Sequence, residues 1–414
     1  MKFLPLCIAL FLYAGIMHAQ DIHSSAFGKG IFNITGKDST WTMKIGARVQ
    51  ILASTTSSLN NDEEVGLVNE DLFYDFNSNF LIRRARLKFN GYALTKNLEY
   101  KLELGLSNRD IAGANAFTGN APRYILDAYM KWKFYKNFQL WFGQFKLPGN
   151  RERVISSGNL QFVDRSLVNS NYNLDRDVGI QLRHHFTLGN QFLIREIIAI
   201  SQGEGRNIVS GNIGGYEYTG RLEFLPFGKF TGKGDYSSSD LEREQTPKLA
   251  LGVTYDFNND AVRSRGNQGS FMVYENENGE QEFFKSNVST FIVDAMFKYK
   301  GFSFMGEFAS RSANEDAFFL NDTDESPLFT VNTGDGVNLQ AGYLFPSNWE
   351  IAGRFTTVNS GFNEPILDFD NQYTIGFSRY IVGHKLKVQS DLTFFSIQNA
   401  DDELAYRLQF DIHF

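Results

Sequence analysis

The sequence predicts an all-β protein, a 16-stranded antiparallel transmembrane β-barrel with short periplasmic turns and long outer loops. Three observations carry this expectation. Apolar and polar residues alternate with period two through sixteen segments. The connections between the segments alternate between short and long. The last segment runs to the final residue and ends on an aromatic, Phe414.

In chain order, Met1 and Lys2 precede an apolar stretch from Phe3 to Met17, followed by His18-Ala19-Gln20. This is the pattern of a secretory signal peptide, residues 1–19, cut after Ala19. The apolar run is shorter than the ~20 residues a spanning helix needs. Cys7, the only cysteine, lies inside that run, so the mature chain is expected to hold neither a disulfide nor a thiolate site. Residues 20–40 read as a polar, glycine-containing periplasmic leader, and 41–414 as the barrel domain. The 40 Lys and Arg against 47 Asp and Glu argue against a nucleic-acid partner. Aromatics make up 15% of the chain, yet no later apolar run reaches the length of a transmembrane helix. That combination suits a barrel with aromatic girdles at both membrane interfaces.

The segments fall at about 41–51, 80–94, 98–107, 123–134, 138–146, 178–186, 191–201, 216–225, 248–257, 288–299, 302–311, 336–344, 349–358, 372–381, 385–397 and 404–414. In the first, Trp41, Met43, Ile45, Ala47, Val49 and Ile51 face one way, and Lys44, Gly46, Arg48 and Gln50 the other. In the last, Leu404, Tyr406, Leu408, Phe410, Ile412 and Phe414 alternate with Ala405, Arg407, Gln409, Asp411 and His413. A face carrying charges on nearly every strand is hard to bury in an apolar core. It fits a watery lumen, with the apolar face toward outer-membrane lipid. The terminal strand with its last phenylalanine resembles the signal read by the barrel-assembly machinery.

Short turns are expected at 95–97, 135–137, 187–190, 300–301, 346–348 and 382–384, with long loops between them, among them 53–79, 147–177 and 258–287. One connection breaks the rule. Residues 226–247 should form a short periplasmic turn and are long, so either that turn is elaborated or the strand count slips there.

No catalytic motif is present, and no cofactor is implied; the expectation is a channel and not an enzyme. The six histidines are scattered. His184 and His185 point to opposite faces of a strand and cannot readily share a metal. Asn321-Asp322-Thr323-Asp324-Glu325 is acidic but lacks the spacing of a calcium loop. What remains is positive charge. Arg84, Arg86 and Lys88 share the lumen face of the second strand, and Arg48 points inward next door. Arg83 has lipid-side parity and needs a bulge or the water interface to be accommodated. The 147–177 loop adds Arg151, Arg153, Arg165 and Arg176. Guanidinium groups lining a narrow pore would concentrate anions and hold phosphate in a bidentate way. The alternative is that these charges only wet the lumen, paired with Glu99, Glu103, Asp127 or Asp164.

Gly46-Ala47-Arg48-Val49-Gln50, Ile82-Arg83-Arg84-Ala85-Arg86-Leu87-Lys88-Phe89, Phe142-Gly143-Gln144-Phe145-Lys146, Asp164-Arg165-Ser166 and Asp177-Val178-Gly179-Ile180-Gln181 stand in an order and spacing that resemble the phosphate-selective porins O and P. The resemblance implies a homotrimeric outer-membrane channel for passive diffusion of small anionic or polar solutes. It also implies that the third long loop, here 147–177, folds into the pore, and that arginines matching Arg48, Arg83 and Arg84 line an anion-binding constriction. Two departures set strict phosphate selectivity apart from general porin activity: the net acidity, and Glu99 in the region of a lysine of the family's third strand. Two other readings stand beside this one. One is a sugar- or peptide-specific pore with a stacking track at Tyr92, Tyr129 and Trp141. The other is a structural or adhesive barrel closed by its loops.

Overall fold

The computed structural model describes residues 21–24, 26–59, 73–111, 115–119, 122–320, 326–361, 369–397 and 401–414. The expected signal peptide and the acidic run Asn321–Glu325 lie outside the described residues. Sixteen long strands form the wall. The first eight are β1 (Thr42–Leu59), β2 (Phe73–Ala93), β3 (Thr95–Gly105), β4 (Ile125–Tyr135), β5 (Phe138–Lys146), β6 (Arg176–Leu188), β7 (Phe192–Ser201) and β8 (Glu217–Leu225). The second eight are β9 (Lys248–Ala261), β10 (Ser286–Tyr299), β11 (Phe302–Ala313), β12 (Gly334–Leu344), β13 (Trp349–Ser360), β14 (Phe369–Tyr380), β15 (Leu386–Ile397) and β16 (Glu403–His413). Each pairs antiparallel with its neighbour. β16 returns to β1 in a register running from Glu403↔Ser58 to His413↔Arg48, so the barrel closes. No described helix is long and apolar enough to cross a membrane.

The two faces invert the usual arrangement of a soluble protein. Ile82, Trp132, Phe142, Ile198, Phe377 and Phe410 are exposed on the outside, Phe80 at 85%. Arg48, Gln50, Asp127, Thr254, Asn338, Gln389 and Asp411 are buried inside. Such a wall is stable only with lipid outside and polar partners within.

The first two strands outrun the expected 41–51 and 80–94. Their period-two pattern stops near residue 52, where Ser54, Thr55, Thr56, Ser57 and Ser58 are polar on both faces. They remain paired because they rise into water: Ser54 Oγ donates to Asn79 at 2.9 Å, and Thr55 and Ser78 share a hydroxyl contact at 2.9 Å. The leader is also structured. Phe32–Thr35 pairs with Thr42–Ile45 of β1 and carries Asp21–Ser24 on its other edge. It occupies the edge of β1 left open where β16 ends, and Phe27 meets the Phe414 ring edge-on at 6.0 Å.

The core of the molecule sits in the lumen. The loop from Leu147 to Asp175 enters the barrel and carries two short helices, α1 (Arg151–Val154) and α2 (Leu167–Tyr172). Ser166 caps α2, its hydroxyl accepting from Asn169 N at 3.2 Å. Leu147, Leu167, Val168, Tyr172 and Leu174 form one apolar cluster with the wall, and Ile155 and Leu160 belong to a second. Glycines make room for the loop: a Cβ on Gly342 would stand 2.0 Å from Gln161 Nε2, and one on Gly376 2.9 Å from the Phe162 ring.

Candidate functional site

The inward loop divides the lumen. Toward β8–β16 it is bonded down. Arg151 donates to Asp294 at 2.8 Å and to Glu223 at 3.1 Å. Gln161 donates to Glu350 at 2.8 Å, Val163 N to Asp391 at 2.9 Å, and Lys387 donates to Leu160 O at 2.9 Å. Toward β2–β6 the loop leaves a cavity of about 650 Å³. Fourteen Arg and Lys side chains line it against four Asp and Glu. The chain as a whole carries a formal charge of −7, so the acid is placed elsewhere and the passage is cationic.

Pleat parity brings Arg84, Arg86 and Lys88 of β2 into this cavity, with Arg165 facing them from the loop. Arg83 joins them inside through a β-bulge. Gln50 pairs with Arg84 and the next residue, Ile51, with Ile82, so Arg83 is the extra residue. Its carbonyl leaves the ladder and accepts from Ser107 Oγ at 3.1 Å. Its guanidinium pairs with Asp164 of the loop.

The six candidate cations separate by their partners. Arg48 is fully buried. It donates to both oxygens of Asp411, at 2.9 and 2.8 Å, and to Ser157 Oγ of the loop at 2.7 Å. Arg48 and Arg83 therefore tie loop to wall, and neither borders the cavity. Arg86 holds Asp110 bidentately at 2.5 and 2.7 Å and reaches Glu103 at 3.2 Å; Lys88 stands 3.6 Å from Glu103. Arg84 meets only the Gln50 side-chain carbonyl, and the first charges acting on it are the cations Arg83, Arg48, Arg86 and Arg165. Arg165 donates to the carbonyls of Glu152 at 3.0 Å and Ile155 at 2.9 Å. Burial, with Arg153 beside it, pushes its guanidinium down to about 9. Lys146 likewise donates to the carbonyls of Arg153 at 2.6 Å and Ile155 at 3.3 Å. Among the described residues, Arg84, Lys146 and Arg165 have no carboxylate partner. They are crowded cations whose remaining favourable partner is an anion entering the cavity.

Several lining residues escape sequence reasoning. Arg109 and Arg123, Arg206, and Arg263 and Arg265 come from three different outer connections and meet at the outer end of the cavity. Irregular loops have no period to reveal them. Arg183 was accessible to parity, sharing the lumen side of β6 with Gln181. Arg183 also bears on the aromatic candidates. The Trp141 ring stacks on Tyr129 of β4 at 4.9 Å and 8°, and the Arg183 guanidinium carbon of β6 lies 4.1 Å from its centre. With neighbours from both adjacent strands, Trp141 offers no open stacking face. Tyr92 donates to Ser39 O at 2.9 Å and is not part of the lining. Among the described residues no group of three His, Cys, Asp or Glu is placed to hold a metal.

A closed sixteen-stranded barrel with an apolar exterior, a polar interior and a pore-restricting third loop defines an outer-membrane channel of the porin class. The family model described as phosphate-selective porin O and P matches residues 58–261, which bears out the resemblance read from the sequence. The chain is 23% identical over 380 residues to an uncharacterized protein of Aquifex aeolicus (strain VF5), covering 84% of each. Among solved structures, it resembles the outer membrane channel DcaP of Acinetobacter baumannii, with a TM-score of 0.50 at 12% identity, over 91% of this chain and 99% of that one. The OmpT outer membrane protein of Vibrio cholerae, in its trimer form, gives a TM-score of 0.48 at 10% identity, over 90% and 99%.

Proposed function

We propose that the protein is a passive diffusion channel that favours small anions, phosphate-like oxyanions among them. The observation that carries this reading is the trio Arg84, Lys146 and Arg165, which face the cavity with no carboxylate among their partners. An oxyanion between Arg84 and Arg165 would accept charge-assisted hydrogen bonds from both and relieve their mutual repulsion. Four other cations of the path, Arg86, Lys88, Lys101 and Arg176, are softened by Glu103, Asp110 and Asp127, which keeps a solute from being trapped: conduction needs sites that bind and release. The family resemblance supports the same solute class. The stacking-track reading for sugars is less well supported, because neighbours from both adjacent strands cover Trp141 and Tyr92 lies outside the lining. The homotrimer implied by the resemblance is part of this proposal, as is removal of residues 1–19 on export.

The test is the reversal potential of the refolded channel in a planar bilayer under a chloride gradient, followed by phosphate titration. Anion preference with block by phosphate supports the reading. A weakly selective conductance without block keeps the channel and removes the phosphate site. Absence of conductance supports the structural or adhesive barrel.

A further inference from the structure

The connection 226–247 lies at the end of the barrel where every other described turn between barrel strands is short, the end that faces the periplasm in barrels of this kind. It does not hang below the barrel. Phe230, Asp235, Ser238, Ser239, Asp240 and Glu244 are buried. The segment folds back on itself, with Thr231 Oγ1 donating to Glu244 at 3.0 Å. It then crosses the mouth. At its near end Asp235 pairs with Arg195 of β7. In the middle, Lys298 of β10 donates to the carbonyls of Gly234, Ser237 and Ser239 at 2.8, 2.8 and 2.7 Å. At its far end Ser239 Oγ donates to Glu350 of β13 at 2.7 Å, and Ser237 Oγ shares a 2.7 Å hydrogen bond with His384 beyond β14.

The segment is also joined to the inward loop. Ser238 N donates to Asn159 O at 2.9 Å, and Asn159 Nδ2 donates back to Tyr236 O at 3.1 Å. Loop and turn thus form one continuous partition, closing the β9–β14 side of the lumen from both ends. Within segment 226–247, Tyr236 is the residue that borders the cationic cavity. Its ring lies 6.0 Å from the guanidinium of Arg195 on β7, and Arg183 of the adjacent β6 lines the same cavity.

We propose that segment 226–247 is a second constriction element, set at the periplasmic exit, and that Tyr236 sets the width of that exit. A solute that passes the inward loop must still pass between the Tyr236 ring and the β5–β6 wall. The phenol is neutral at working pH, so this exit sorts by size, while the arginines above it sort by charge. The inference rests on the cavity being the conducting path and not on which ion it prefers.

The experiment uses the full-length barrel in planar bilayers. Tyr236→Ala removes the ring and leaves the backbone bond to Asn159; its single-channel conductance rises roughly twofold, as expected when a narrow exit governs flow. Tyr236→Cys places a thiol where the mature chain has none, since Cys7 belongs to the expected signal peptide. Attaching a bulky thiol reagent, confirmed by mass spectrometry, lowers the conductance of that variant. Unchanged conductance in Tyr236→Ala, or in confirmed modified Tyr236→Cys, overturns the proposal. Conductance that responds as described in a channel without anion preference sinks the anion reading and leaves the exit constriction standing.

Discussion

At the residue scale, inward arginines differ by what they already hold. Arg84 and Arg48 sit on adjacent strands and both face the lumen, but Arg48 has spent its donors on Asp411 and Ser157. Arg84→Ala is expected to weaken phosphate block by roughly 10- to 100-fold, the equivalent of losing one hydrogen bond to a charged group at ~1.5–3 kcal/mol. Thermal stability in detergent should barely change. Arg48→Ala should do the opposite. It leaves Asp411 buried without its cation, at a cost of about 3–5 kcal/mol, while selectivity is retained. Conductance titrations and thermal melts of the two variants check this; equal losses of block in both would refute the division. Pleat parity alone makes the inward direction of Arg48, Arg84, Arg86 and Lys88 legible. Their partners are not legible, because Asp411 lies 363 residues from Arg48 and becomes its neighbour only when the barrel closes. Arg83 was legible as an anomaly, a charge of the wrong parity, and the bulge is its physical resolution.

At the element scale, strands were easier to read than loops. Fourteen of the sixteen segments were recognisable near their full length because lipid on one side and water on the other impose strict alternation. β1 and β2 were underestimated, since above the membrane both faces meet water and the alternation vanishes. The inward loop has no period, and its place in the lumen came only from the family resemblance. Its bonds explain why it stays. Arg151 bridges Asp294 and Glu223, all three buried. Arg151→Ala removes one cation from this cluster while Asp294 keeps Arg221 and Glu223 keeps Arg221 and Arg195, so the expected cost is that of lost hydrogen bonds to charged groups, about 1.5–3 kcal/mol. Its single-channel trace should become noisy as the loop loosens. A quiet trace with wild-type melting temperature would show that the apolar contacts of Leu167, Val168 and Tyr172 hold the loop unaided. The length of 226–247 was visible from the start; its inward fold was not, because a polar, glycine- and serine-rich segment reads equally as an exposed turn.

At the scale of the whole molecule, charge is sorted by place rather than by total. An acidic chain encloses a basic passage because only four carboxylates, Glu103, Asp110, Asp127 and Asp175, line it among the described residues, while others, such as Glu223, Asp294 and Glu350, anchor the loop and turn. Net charge was therefore a poor guide to selectivity. Assembly belongs to this scale as well: native mass spectrometry of the detergent-extracted protein is expected to give three copies of the mature chain, and a strictly monomeric mass would contradict the trimer.

The most direct test of the central claim is the reversal potential in a chloride gradient, measured on the wild type and on Arg84→Ala, with phosphate then added to each. The account predicts an anion-side potential and phosphate block in the wild type, with block weakened and the barrel intact in the variant. A wild-type potential near zero or on the cation side would contradict it.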